Sequence, residues 1–295
     1  VLAEALKDLG GDPENPTYQR EWLGNFVNDP ESQVYAYLAE RNDIRALPAH
    51  YDRQRWVHVL VVDFGVRDDC GWSILACHPD ERRAYVLKSF KFVGLTTDKA
   101  AFITAAMCAE YDPYKVIGDL GGLGAAYGLE WNTRYAGRTA KEIERRNEQL
   151  EDGDWVMGLP EPIRLFLLEG LKRGPGAANP MPAMVCADKD EKRASIDFAN
   201  TELRAGRVKF VQPDCGPLTS ELASLPWADD KRLKEHPGHA NHCADTFLYG
   251  LKELRPYLNE APESRLDPSV NTAEYDRWQE QREIEEADQD GWGVY

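Results

Sequence analysis

From Arg55 the chain changes character. RWVHVLVVDFG (55–65) is an apolar, β-branched run that reaches Asp63 without an interior break. Apolar residues at consecutive positions predict a strand covered on both faces. GWSILACHP (71–79) and RAYVLKSFKFV (83–93) predict two further strands, joined by a polar HPDERR turn, and the three together form an antiparallel meander. TTDKAAFITAAMCAEY (96–111) predicts a helix capped by Thr96 or Thr97, with Phe102, Ile103, Ala106 and Met107 on one face. YKVIGDLGG (114–122) is a short strand ending at Asp119 in a glycine-rich turn. After an irregular stretch come a strand in PAMVCAD (182–188), a helix over 189–205 and a strand in RVKFV (207–211). A short helix near Leu218–Leu225 and a last helix from Asn241 to Leu258 complete the series.

This order predicts an α/β fold, a mixed sheet flanked by helices. The segment 137–181 interrupts it with a charged helix (TAKEIERRNEQLED), an amphipathic one (PEPIRLFLLEGLK) and a Gly/Pro-rich loop, and reads as a helical insertion. Residues 1–50 are helical fragments and loops with no strand alternation, a linker region ahead of the 51–258 domain. From Asn259 to Tyr295 the chain is a polar, acidic tail. That tail is expected either to dock a partner or to be a disordered, solubilising end.

Composition changes this picture in three places. With 42% apolar residues and eight tryptophans the chain can fill a sizeable core. No apolar run approaches the roughly 20 residues of a membrane span, and the opening VLAEALKDLGG has no signal-peptide pattern, so no membrane is expected. The six cysteines form no CxxC pair, which predicts buried free thiols; His239, His242 and Cys243 lack a second cluster to complete a zinc site. The net charge of −16 is unevenly spread. Residues 257–295 hold eleven acids and three arginines, and residues 1–50 hold nine acids and four bases, so the centre is nearly balanced and nucleic acid is not excluded.

Candidate chemistry gathers on aspartates. Asp63 and Asp119 each end a strand, and Asp245 lies in the first turns of the apolar helix HCADTFLYGLKEL. Taken singly, each also reads as a turn or cap residue. Taken together, they are where one sheet edge would collect three carboxylates. Such a cluster repels itself unless cations bind, and all-oxygen ligands suit two Mg2+ or Mn2+ ions, with Asp63 bridging them. Asp68 and Asp69 can supply a further ligand or orient waters, against a reading as solvated turn residues. Lys189, Lys192 and Arg193 are either phosphate contacts or a solvated helix face. His242 either positions a water or contacts DNA, or else packs the helix start.

The segments VLVVDFG, YKVIGDLGGLGAAYG, ADKDEKRASIDFANTELRAGRVKF, LTSELASLPW and HANHCADTFLYGLKEL, in that order, resemble the nuclease domain of tailed-bacteriophage terminase large subunits. YQREWLGNFVNDPESQVY (18–35) resembles the stretch leaving that family's ATPase domain. The resemblance implies a ribonuclease H-like fold and a Mg2+- or Mn2+-dependent acidic triad, here Asp63, Asp119 and Asp245. It implies an endonuclease that cuts concatemeric viral DNA during genome packaging in the host cell cytoplasm. The implied partners are double-stranded DNA, the portal, the small terminase subunit and the packaging ATPase region, with the tail 259–295 linked to portal docking. No GxxxxGK[ST] loop occurs, so the expectation is an excised nuclease half or a motor on a separate polypeptide. The family often has an acid shortly before its last aspartate; Asn241 and His242 stand there instead. Another ribonuclease H-like nuclease, such as a Holliday-junction resolvase, and a non-enzymatic packaging adaptor are the competing expectations.

Overall fold

A computed structural model of the chain describes residues 2–8, 11, 33–53, 55–65, 69–122, 124–148, 169–228, 232 and 234–259. Asp68, residues 149–168 of the expected insertion and the tail beyond 259 lie outside them. The elements run α1 (Leu2–Asp8), α2 (Ala39–Asn42), β1 (Asp43–Ile44), β2 (Val57–Asp63), β3 (Asp69–Cys77) and β4 (Ala84–Val93). They continue with α3 (Thr97–Tyr111), β5 (Lys115–Gly118), α4 (Gly124–Arg134), α5 (Ala140–Glu148), β6 (Met184–Cys186) and α6 (Lys192–Arg204). The last are β7 (Val208–Val211), α7 (Gly216–Ser224), α8 (His242–Glu253) and α9 (Arg255–Asn259).

Seven strands form one sheet in the order β1-β7-β4-β3-β2-β5-β6. β2, β3 and β4 pair antiparallel as the meander predicts, while β5 runs parallel to β2 and β6 parallel to β5. This mixed sheet with flanking helices is the α/β architecture expected from the sequence. β7 adds to the other edge, parallel to β4, and β1 pairs parallel with β7.

Burial on both faces explains the unbroken apolar runs. Leu60 and Val62 pack into one cluster with Trp72, Ile74, Phe102 and Met107, under α3. Val59, Val61 and Leu75 face the other way, into a cluster with Phe210, Phe247 and Leu251. Each burial is worth about 1.5–3 kcal/mol for a large aliphatic side chain, so a one-residue slip of β2 would exchange its two faces. α3 is buried almost all round because the insertion covers its outer side. Ile143, Leu171 and Met181 join the same cluster, and Gly176 N donates to Ala109 O at 2.8 Å.

The structure departs from the sequence expectation in several places. Residues 124–134 form a helix where the glycine-rich sequence reads as irregular; Gly128 presses on Leu120, where a Cβ would meet its Cδ2 at 2.7 Å. β1 is too short to show alternation and depends on β7, the Asn42 amide bonding Leu203 O (3.0 Å) and Val208 O (3.1 Å). The last helix divides at Leu254, since Pro256 has no N–H to continue the ladder. Five cysteines are buried as expected; Cys186, ending the short strand β6 at the sheet edge, is exposed. No helix among the described residues is long and apolar enough to cross a membrane.

His58, in β2, is 2% exposed and shares a 3.0 Å hydrogen bond between its Nε2 and the Tyr51 hydroxyl. Burial, aided by Arg53, lowers its pKa to about 4. The unfolded chain therefore binds this proton first as pH falls, and the folded state loses stability between pH 6.5 and 4. Wild type should lose about 2 kcal/mol more than His58→Gln between pH 7.5 and pH 4.5, read from urea unfolding. Equal losses would contradict this assignment.

Candidate active site

The C-terminal ends of β2 and β5 lie side by side, with Val62 opposite Gly118 in the parallel ladder. Asp119 N continues that ladder by donating to Val62 O at 2.9 Å, which places Asp119 beside Asp63. The chain then turns sharply. Gly121 N donates to Asp119 Oδ1 at 3.0 Å, and a Cβ at Gly124 would fall 1.9 Å from Asp119 O, so only glycine fits there.

α8 brings Asp245 to the same edge. Gly250 lets the helix sit directly on β2 and β3, since a Cβ there would meet Leu75 Cδ1 at 2.5 Å. Gly71, paired with Asp63, is bare enough for the His242 carbonyl to approach; a Cβ would lie 3.2 Å from it. Buried hydroxyls set the register: Ser73 Oγ bonds Thr246 Oγ1 at 2.6 Å and Ser89 Oγ at 2.8 Å. Glu221 of α7 receives Ala244 N at 2.9 Å, satisfying one open N–H of the helix start. Its other oxygen pairs with Lys91 at 2.9 Å, and Lys91 pairs in turn with Asp69 at 2.6 Å. Asp69 is therefore the first residue of β3 and lies in an ion-pair chain, not in a loop.

Each of the three central carboxylates has its own partner. Asp63 Oδ2 lies 2.9 Å from His242 Nδ1; Asp119 Oδ1 lies 2.5 Å from Lys189 Nζ; Asp245 Oδ1 lies 2.7 Å from Lys192 Nζ. A carboxylate only accepts, so His242 donates through Nδ1. Its pKa is raised, first by that hydrogen bond, against the opposing effect of burial. Arg193 points elsewhere: it lies over the Trp227 ring at 4.6 Å, pairs with Asp197 and donates to the Arg232 carbonyl.

A fourth carboxylate joins the cluster. Glu235 Oε2 accepts from Lys192 at 2.7 Å and from the Asn241 amide at 2.8 Å, while its Oε1 is buried with no hydrogen-bond partner among the described residues. Sequence reasoning missed Glu235 because it sits in a non-periodic loop ten residues before Asp245. An isolated antiparallel bridge pairs Glu235 with Trp227.

Electrostatics tie the four acids together. Burial pushes Asp245 up to about 6; Lys192 opposes this, and Glu235 and Asp63 add to it. The Tyr249 phenol is held well above its usual range by burial and then by Asp245, Asp119, Asp63 and Glu235. Four carboxylates against two lysines and a histidine leave an excess of negative charge. Chemically this all-oxygen set suits a hard divalent cation. As placed, no three His, Cys, Asp or Glu side chains among the described residues come close enough together to hold one.

No protein-family model matches the chain, and no curated protein matches it. Solved structures similar to it are large terminases and their nuclease domains. One is a large terminase from a thermophilic bacteriophage, 13% identical at a TM-score of 0.48, with 81% of this chain and 49% of that one covered. The P22 large terminase nuclease domain is 13% identical at 0.47, with 79% and 97% covered. The nuclease domain of the large terminase of bacteriophage SPP1, with bound Mn, is 11% identical at 0.43, with 72% and 95% covered. The chain spans about half the length of the first of these.

A carboxyl whose folded pKa is raised binds its proton more tightly in the folded state. Above pH 6 the ionised Asp245 therefore costs stability, and the cost fades as pH falls through about 6 toward 3.8. Asp245→Asn should stabilise the protein by about 1–2 kcal/mol at pH 8 and by much less at pH 4.5. Thermal unfolding without added metal measures this, and destabilisation at pH 8 would contradict it.

Proposed function

We propose that the chain is a metal-dependent endodeoxyribonuclease, the cutting part of a viral genome-packaging terminase. The observation that carries this reading is the convergence of Asp63, Asp119 and Asp245 on one sheet edge, from two adjacent parallel strand ends and one helix start. These are the residues on which the sequence resemblance implies an acidic triad.

In this reading Asp63, Asp119 and Asp245 hold Mg2+ or Mn2+, as two ions. The ions would supply an activated water and a stabilised leaving oxygen for phosphodiester hydrolysis. The protein's own part is positional. Glu221 and the Ser89–Ser73–Thr246 seam fix the start of α8, so Asp245 and His242 arrive at a defined height above the sheet. His242 orients the Asp63 carboxylate, leaving its second oxygen for a ligand. Lys189, half-exposed beside Asp119, stands where an approaching phosphate would meet it, while Lys192 is held between Asp245 and Glu235. Nothing in the chain resembles a base-reading module, so cutting is expected to show little sequence preference. The substrate would be concatemeric double-stranded DNA in the host cytoplasm. The working partners would be the portal, the small terminase subunit and the ATPase region, with 259–295 as the portal-facing segment.

Supercoiled plasmid incubated with the protein and Mn2+ or Mg2+ should be nicked and linearised, and EDTA should stop the reaction. Asp63→Ala and Asp245→Ala should each slow cutting about a hundredfold or more, as loss of a metal-site group does. Undiminished cutting by both variants would sink the assignment. Strong preference for a four-way junction over linear duplex would replace it with a resolvase.

A further inference from the structure

Lys192 differs from the other two partners of the triad. Among the described residues Lys189 meets one carboxylate and His242 meets one, but Lys192 Nζ lies 2.7 Å from Asp245 Oδ1 and 2.7 Å from Glu235 Oε2 at once. Of the two Asp245 oxygens, Oδ1 is held by this ammonium and Oδ2 lies 3.3 Å from the Asn241 amide, so a divalent cation that takes Oδ1, alone or together with Oδ2, displaces Lys192. We propose that Lys192 is an internal cation that competes with the divalent ion for Asp245, and that Glu235 is the anchor to which it withdraws. The inference rests on the preceding reading that these carboxylates take a metal.

Three features make the exchange local. Lys192 is the first residue of α6 and its side chain is partly exposed, so its stem is not locked on every side by packing. Ammonium is a point charge on a flexible stem, so it can drop one acceptor and keep the other, as a forked guanidinium could not do so readily. Glu235 is braced independently of Lys192 by the Asn241 amide, so it stays in place during the shift. A buried carboxylate left without any cation is costly. Keeping Lys192 on Glu235 avoids that cost when Asp245 turns to the metal. Glu235 then acts through Lys192 as a positioning residue and is not itself a metal ligand.

Calorimetric titration of the full chain with Mn2+ at pH 8 separates these roles, alongside thermal unfolding without metal. Lys192→Met should bind Mn2+ about tenfold more tightly, the effect of removing one competing charge-assisted hydrogen bond, and should unfold at a lower temperature in its absence. Glu235→Gln should bind Mn2+ more weakly than wild type, because Lys192 then holds Asp245 alone. In the Lys192→Met background Glu235→Gln should have no further effect. Lys252→Met, which removes an equal charge paired with Asp188, should leave affinity unchanged.

Unchanged or weaker binding by Lys192→Met, or equal tightening by Lys252→Met, would overturn the competition. Further weakening by Glu235→Gln in the Lys192→Met background would make Glu235 a ligand and overturn its anchoring role. If Asp245→Asn abolishes binding while Lys192→Met changes nothing, the metal site stands and only this inference fails. No Mn2+ binding by wild type would overturn both.

Discussion

Like charges gathered in a poorly solvated pocket raise one another's free energy, and the edge where β2 and β5 end carries four of them. Most of what surrounds that edge follows from containing this repulsion. His242, Lys189 and Lys192 each lie against one aspartate, Asn241 braces Glu235, and burial still leaves Asp245 with its pKa raised to about 6. A fold selected only for stability would place apolar groups here. Retaining the acids at a standing cost is the pattern expected of a site whose charge has work to do.

Containment requires that the acids be held still, and the sheet does this through close approaches. α8 can bring Asp245 to the edge only because Gly71 and Gly250 leave no side chain between helix and strands. The polar contacts beneath it, Ser73 with Thr246 and Glu221 with Ala244 N, select one register among the many that an apolar interface would tolerate. The insertion acts from the opposite face. By covering α3 it completes the core behind β2.

The parts of the fold that rest on repetition were legible in the chain. β2, β3, β4 and α3 fall within about two residues of their expected bounds, because long apolar runs covered on both faces have few alternatives. α4 was hidden: residues 124–134 fall in the stretch read as irregular, and only the packed structure reveals that Gly124 and Gly128 serve close contact with Asp119 and Leu120. The three aspartates could be picked out because each ends or begins a regular element. Glu235 and the pairing of Lys189 and Lys192 with particular acids could not. Those contacts join residues as far apart as 70 positions, through loops without period, and depend on how α6 and α8 meet the sheet.

If Asp63, Asp119 and Asp245 are ligands and not an elaborate set of caps, divalent ions bind between them. Crystals soaked in Mn2+ and measured for anomalous scattering test it most directly. Strong peaks are expected at the β2–β5 edge, each about 2.0–2.3 Å from oxygens of Asp63 and of Asp119 or Asp245. Fully soaked crystals with the three carboxylates ordered and no anomalous density between them would contradict it.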